Sequence, residues 1–333
     1  MKYPPGVSLI ICTYNGANLL RDTISHINKI ITDPGIPWEM ILIDNASTDN
    51  SAEVVRKSWK LDIPLRIVTE NRKGLIYARY RGIEEARYEF ISFIDDDNWV
   101  DPYWIYNIYR VFTENPEVGI CGGRNYGVYE GTPPPWISNV ESAFAIGEQG
   151  KESGDITKTR GHVWGAGMSF RKSAFEDIIK AGFQSILTGR KGKDLSAGED
   201  TELSFAFRLC GWKIWYDEEL ILRHYIPASR QAWPYLIKIY QGFGKSHAIF
   251  DLYRLVLHNK PYRPLQFYKK IFKDYRAFLK KKWLGKLDTK EGSLEFLRFK
   301  MHQAKMRKAL QNYNANKAIF ATLKSFRDKG QRI

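Results

Sequence analysis

Hydrophobic positions along the first hundred residues alternate between two rhythms. Val7–Cys12 (VSLIIC) is a continuous run rich in β-branched residues, the pattern of a strand buried on both faces of a parallel sheet. Asn15-Gly16 breaks it, and the mixed stretch through Ile30 predicts a helix. Glu39–Asp44 (EMILID) predicts a second strand, ending in the polar turn Asn45-Ala46-Ser47-Thr48-Asp49-Asn50, with a helix from Ser51 to about Trp59. Leu65–Thr69 predicts a third strand, Gly74–Arg87 a helix, and Phe90–Ile94 a fourth strand. Strand–helix repeats with short turns predict an α/β fold with a doubly wound, mostly parallel sheet. Such sheets bind ligands beyond the C-terminal ends of their strands. Three polar clusters fall there: Thr13-Tyr14-Asn15, Asp44-Asn45 and Asp95-Asp96-Asp97.

From Gly119 to Pro227 the pattern is less regular. Val163–Arg171 (VWGAGMSFR) predicts a strand containing two glycines, and Ser185–Gly198 a mobile Gly/Lys/Ser-rich loop. Gly198-Glu199-Asp200 then opens a helix through Leu209, with Asp200 or Thr201 as its cap. Beyond Pro227 the chain reads as helical and basic. Tyr268, Ile271, Phe272, Tyr275, Phe278, Leu279 and Trp283 recur at spacings of three and four within Leu265–Trp283, with cations on the other face. The organisation expected is an α/β body, 1–226, followed by a helical, amphipathic extension, 227–333.

Charge sharpens that division. The net charge is +14, yet residues 1–226 hold 26 Lys and Arg against 31 Asp and Glu, whereas residues 227–333 hold 25 against 6. A mildly acidic body with a strongly basic tail points to two tasks, the tail facing an anionic partner. No RNP, helix-turn-helix or zinc pattern is present, so no nucleic acid is expected. An anionic membrane surface suits a basic amphipathic helix better. The competing reading packs the apolar stripe on the body or on a second subunit. No run reaches the ~18 apolar residues of a spanning helix, and the N-terminus does not read as a signal peptide. Cys12, Cys121 and Cys210 form no CxxC pair. The expectation is a cytoplasmic protein, peripheral on the inner face of the cell membrane.

The triplet Asp95-Asp96-Asp97 carries the sharpest chemistry. Adjacent carboxylates repel, so something positive belongs among them. Alternation along a strand would put Asp95 and Asp97 on one face. A hard cation such as Mn²⁺ or Mg²⁺ takes one or two protein carboxylates plus phosphate oxygens, which suits a nucleoside-diphosphate sugar. The plainer reading is a solvated acidic turn. Asp200 at a helix start reads as a general base or as a cap. His224 reads as a third metal ligand or as a structural hydrogen-bonding residue. Trp164-Gly165-Ala166-Gly167 reads as a backbone approach to a donor sugar or as a bulge.

Five segments, VSLIICTYN, LIDNASTDNS, NRKGLIYARYRGIEEA, FIDDDNWVDP and AGEDTELSFAFRLCGW, resemble in order the motifs of family 2 glycosyltransferases with the GT-A fold. The resemblance spans roughly residues 6–226. It implies that Thr13 and Tyr14 lie against the nucleotide base. The family's first-turn pair is commonly Asp-Asp or Asp-Gly; here Asp44-Asn45 takes that place, and uncharged Asn45 leaves the base open. Arg79 would face phosphate. Asp95 and Asp96 would serve ribose or metal, and Asp97 would bind metal directly, with Asp95 and His224 completing its shell. Glu199-Asp200 matches the acidic pair, with Asp200 as base.

The function implied is metal-dependent, inverting transfer of one sugar from a nucleotide-sugar donor. The acceptor would be a hydroxyl of a glycan or a polyprenyl-diphosphate-linked glycan in cell-surface polysaccharide biosynthesis. No QxxRW-like motif argues for processive synthesis. Two alternatives stand beside it. A sugar-phosphate nucleotidyltransferase would want a Gly-rich, Lys/Arg-containing N-terminal loop, and Val7–Leu20 holds only Gly16. A non-catalytic sugar- or nucleic-acid-binding module would tolerate loss of Asp97 and Asp200.

Overall fold

A computed structural model describes residues 2–31, 33, 35–187 and 198–330. Most of the loop expected over Ser185–Gly198 lies outside the described residues. The N-terminal strand–helix rhythm folds as read, with β1 (Val7–Thr13), α1 (Ala17–Ile27), β2 (Trp38–Asp44), α2 (Ser51–Ser58), β3 (Leu65–Thr69), α3 (Leu75–Glu85) and β4 (Phe90–Ile94). The four strands pair in parallel in the order β3-β2-β1-β4. Alternate side chains feed two cores, one on each face of the sheet. Ile10, Ile41, Ile43 and Phe93 enter one; Leu9, Ile11, Met40 and Leu42 enter the other. That two-sided burial is why these strands read as continuous apolar runs.

The chain continues through β5 (Asn98–Val100), α4 (Trp104–Glu114), β6 (Val118–Tyr129), β7 (Gly154–Asp155), β8 (Ser169–Arg171), α5 (Lys172–Lys180), α6 (Glu199–Leu209) and β9 (Lys213–Ile226). The sheet runs β3-β2-β1-β4-β8-β6-β9-β5, with β7 on β9. β8 is antiparallel to both neighbours, and β9 is parallel to β6 but antiparallel to β5. One flank is therefore a parallel nucleotide-binding type of sheet, and the other is mixed.

Three local expectations change. The strand expected over Val163–Arg171 is only Ser169–Arg171, because Gly167 turns the chain at φ +75° where a Cβ would press on the Trp104 ring. The Asp triplet is not on a strand. It occupies the turn between β4 and β5, so strand alternation does not govern which way its carboxylates point. The N-cap of α6 is Gly198, with no side-chain cap bond, and Asp200 sits inside the first turn.

The extension is four helices, α7 (Trp233–Leu257), α8 (Pro264–Trp283), α9 (Leu294–Gln311) and α10 (Asn316–Gly330). α9 packs on both α7 and α8. Gly244 of α7 lets the two backbones close, since a Cβ there would lie 2.1 Å from the Met301 carbonyl oxygen. A half-buried Lys305–Asp251 pair at 2.6 Å joins the same helices. Part of the apolar stripe on α8 packs on α9, with Tyr275 stacked on Phe299 and Phe278 on His302. No helix among the described residues is long and apolar enough to cross a membrane.

Candidate active site

The turn carrying the aspartates is closed from both sides. The Asn98 amide donates to the Asp95 carbonyl (3.1 Å), and the Asp95 amide donates to Asn98 Oδ1 (3.0 Å). Each carboxylate then meets different company. Thr13 Oγ1, at the end of β1, donates to Asp96 Oδ2 at 2.7 Å, and Thr23 donates to the Asp96 carbonyl at 2.6 Å. Gly16 makes room for this contact, because a Cβ there would fall 2.2 Å from Thr13 Oγ1 and 2.3 Å from Asp96 Oδ2. Burial and then repulsion by Asp97 raise the Asp96 pKa to about 7, against the pull of the Thr13 hydroxyl.

Asp97 is buried among Arg230, Asn98 and His224. Arg230 Nη1 donates to Oδ2 at 2.7 Å, Asn98 Nδ2 donates to Oδ1 at 3.0 Å, and His224 Nε2 lies 3.4 Å from Oδ1. Burial alone would raise its pKa, but His224 and Arg230 outweigh it and hold the carboxyl below the usual range. Arg79, on α3, sits 3.7 Å from Glu199 Oε1. Burial works against its charge, but Glu199 and then Asp95 outweigh that and keep its pKa raised. The protein itself thus supplies positive charge among the aspartates.

Across from this turn, α6 begins with Glu199 and Asp200. Asp200 Oδ2 accepts the Gly165 amide at 2.7 Å, and Oδ1 accepts the Thr201 amide at 2.7 Å. Glu199 Oε2 is buried with no hydrogen-bond partner among the described residues. A cavity of about 380 Å³ opens between the two sets, within the range of small-ligand sites. Asp95, Asp96, Asp97, Arg79, Glu199, Asp200 and His224 all line it. Cys12 does too, its thiol pushed up to about 12 chiefly by burial.

The other four candidates stand outside that lining. Thr13 touches the cavity floor only through Asp96, and Tyr14 is 52% exposed with Lys73 Nζ 5.5 Å from its ring centre. Asp44 Oδ1 accepts the Ser47 amide, closing the turn after β2. Asn45 braces the loop before α3: Nδ2 donates to the Glu70 and Arg72 carbonyls, and Oδ1 accepts the Gly74 amide. Trp136, nearby in sequence to the cavity-lining Ser142–Ala145 segment, packs edge-on to Trp233 and donates to Glu291.

Several residues were not singled out from the sequence. Arg230 is one, in the short link between β9 and α7. The opposite cavity wall comes from α7, through Tyr235, Ile239, Phe243, His247 and Phe250, and from His162 and Trp164. Burial first, and neighbouring cations second, lower the His162 and His247 pKa values to about 4, so both present neutral imidazoles. The Arg160 guanidinium lies 4.3 Å over the Trp164 ring. The Gly-rich context of Trp164 was a signal; the contribution of α7 had none.

The residues present fit a divalent cation in a limited way. Among the described residues no three His, Cys, Asp or Glu side chains converge for a metal, so the expected trio of Asp95, Asp97 and His224 is not assembled as such. Asp97 and His224 do form a pair. His224 Nδ1 donates to the Phe144 carbonyl at 2.8 Å, and Nε2 faces Asp97 Oδ1 at 3.4 Å. A divalent cation bound between Asp97 and His224 would take the place of a proton on Nε2. Two protein ligands plus substrate phosphate oxygens is an ordinary set for Mg²⁺ or Mn²⁺.

A doubly wound sheet with an acidic turn beyond its central strand and a second acidic pair across the cavity defines a GT-A type of nucleotide-sugar-binding fold. The model of glycosyl transferase family 2 matches residues 8–179, and the chain belongs to that family. The chain is 28% identical over 178 residues to EpsH of Bacillus subtilis, covering 53% of this chain and 49% of EpsH. It is 21% identical over 248 residues to the glucosyl-dolichyl phosphate glucuronosyltransferase of Haloferax volcanii, covering 72% and 76%. The match thus spans about half the length of EpsH. Among solved structures, S. aureus TarS 1–349 is similar with a TM-score of 0.53 at 14% identity, covering 93% of this chain and 91% of that one. Mannosyltransferase PcManGT from Pyrobaculum calidifontis, in complex with GDP-Man and Mn²⁺, gives 0.50 at 17% identity, covering 97% and 74%. These likenesses establish the GT-A fold.

Proposed function

We propose that this protein transfers one sugar from a nucleoside-diphosphate sugar to a hydroxyl of a glycan or lipid-linked glycan, with inversion and with a divalent metal. The observation that carries the reading is the single cavity lined by Asp97, His224, Arg79 and Asp200 together. The diphosphate would lie on the side of Arg79, Arg230 and the turn, where protein cations meet its charge. A Mn²⁺ or Mg²⁺ held by Asp97 and His224 would supply further positive charge against the departing diphosphate. Arg230 would then exchange Asp97 for phosphate oxygen.

Asp200 would act as the general base. Two backbone amides fix its plane, and each oxygen keeps lone-pair capacity for an acceptor hydroxyl. Asp200 sits in the first turn of α6. The acceptor oxygen bonds to the anomeric carbon as the carbon–oxygen bond to phosphate breaks. The proton passes to Asp200, and the bonding electrons leave with the nucleoside diphosphate. Glu199 holds Arg79 in line. The neutral imidazoles and aromatic rings of the opposite wall suit the hydroxyls and faces of an acceptor sugar.

Several features support the finer points. The Haloferax relative is named for a dolichyl phosphate-linked substrate, which favours a lipid-linked acceptor. The basic extension suits an anionic membrane surface, with the protein peripheral on its cytoplasmic side. The lack of a QxxRW-like motif favours one transfer per acceptor.

The test is a thermal-shift panel of nucleoside diphosphates with and without Mn²⁺, on wild type, Asp97→Asn and Asp200→Asn. A metal-dependent shift from one nucleotide, weakened in Asp97→Asn and intact in Asp200→Asn, is expected. Sugar transfer should be lost in Asp200→Asn. Folded protein that responds to no nucleotide would overturn the proposal.

A further inference from the structure

Packing of the extension consumes one apolar stripe of α8 and leaves another facing outward. Phe267 and Ile271 are buried, and Tyr275 and Phe278 stack on α9. Leu265 is 83% exposed, Phe272 50% and Trp283 90%. These three are 7 and 11 residues apart, two and three turns of helix, so they form one ridge along the outer face. The helix has 20 residues, so the ridge runs for about 30 Å. Lys269, Lys273, Arg276 and Lys280 are exposed and follow at spacings of 4, 3 and 4 along its flank. Between residues 264 and 286 there are eight Lys and Arg and a single acid, the half-buried Asp274.

We infer that this outer face of α8 lies flat in the interface of an anionic phospholipid bilayer. The inference deepens the membrane reading of the extension and rests on it. A ridge of Leu, Phe and Trp has no reason to face water, and interfacial helices carry this combination of large apolar residues and Lys/Arg. The charge selects the occupant. A second copy docking face to face would set two rows of cations against each other, whereas lipid phosphates neutralise the row and acyl chains receive the ridge. α8 is tied through α9 to α7, whose Ile239, Phe243, His247 and Phe250 line the cavity. The bilayer-facing surface and the cavity wall therefore belong to one helical stack, which would hold the cavity beside an acceptor carried in that bilayer.

The experiment is vesicle co-sedimentation of the full chain with phosphatidylglycerol–phosphatidylcholine or pure phosphatidylcholine vesicles. The variants are Phe272→Ser/Trp283→Ser and Lys269→Glu/Lys273→Glu/Lys280→Glu. All changed side chains are exposed, so folding is retained; melting temperature and the nucleotide response are read in parallel. Wild type should sediment with anionic vesicles only, and each variant should lose at least ten-fold in affinity with its nucleotide response unchanged. Equal binding to neutral vesicles, no binding, or variants that bind as well as wild type would overturn the inference. So would a wild-type dimer in light scattering that either variant dissolves, because a second copy would then own the face. A nucleotide response that survives any of these outcomes leaves the transfer reading standing, so the two can fail separately.

Discussion

Replacing Arg230 by Met should move two affinities in opposite directions. In the structure Arg230 Nη1 donates to Asp97 Oδ2 at 2.7 Å, and Asp97 is 2% exposed. A hydrogen bond between charged groups contributes roughly 1.5–3 kcal/mol, and the partial exposure of Arg230 places this one near the lower end, at about 2 kcal/mol. Asp97 keeps Asn98 and His224, so the fold survives. At about 2 cal/mol/K per residue, a chain of 333 residues would lose about 3 °C of melting temperature. A cation drawing on Asp97 competes with Arg230 for that carboxylate's charge in wild type and does not in the variant. Metal affinity without nucleotide should therefore rise, by up to about 30-fold if the whole 2 kcal/mol is recovered. The nucleoside diphosphate loses a guanidinium, so its affinity in saturating Mn²⁺ should fall by about ten-fold or more. Titration of Mn²⁺ followed by electron paramagnetic resonance gives the first number, and calorimetry with the diphosphate gives the second. If both affinities fall together, or neither changes, Arg230 does not exchange between Asp97 and phosphate and the reasoning is wrong.

Asp96 predicts a pH signature in chelator. Its folded pKa is raised to about 7 by burial and by Asp97, so its contribution is full below the unfolded value near 3.9 and is lost as pH rises through 7. Asp96→Asn should match wild type near pH 4 and exceed it above pH 7, by at most about 4 kcal/mol; a constant difference in melting temperature across that window would refute it. Glu202, fully buried, accepts from Ser185 Oγ, the Ile186 and Leu187 amides and Tyr253 Oη. Glu202→Ala should cost about 3–5 kcal/mol through stranded donors, read by urea unfolding, and a loss under 1 kcal/mol would contradict that network. Gly244→Leu should part α7 from α9 and lower the melting temperature, while Gly285→Ala, in open space at φ +64°, meets no clash and costs only the ~1–2 kcal/mol of a left-handed alanine.

The parallel half of the fold was legible because burial on both faces writes unbroken apolar runs, and β1 to β4 follow those runs to within a residue or two. The acidic turn, Arg79, Glu199, Asp200 and His224 were legible as candidates through motif order, and the structure gathers them at one cavity. What stayed hidden depends on contacts between distant segments. Arg230 meets Asp97 across 133 positions, and nothing in ASRQAW marks it. The apolar residues of α8 could be counted, but which of them face α9 required the position of Phe299 and His302. The short β8 was concealed because Gly165 and Gly167 interrupt an otherwise strand-like run, one holding Asp200 with its amide and the other turning the chain.

The cavity is walled by two parts of the chain with separate origins. Strand ends and α6 carry every carboxylate, while α7 carries aliphatic, aromatic and imidazole groups opposite them. Side chains at 239, 243, 247 and 250 project from a helix that pairs with no strand; Ile239 and Phe250 also belong to the core, whereas Phe243 and His247 are more open to change. With the acceptor seated against α7 as proposed, exchanging its cavity-facing side chains between relatives would retool what is glycosylated while leaving in place what is donated. A lineage, or an engineer, could thus alter the recipient of the sugar one helix face at a time.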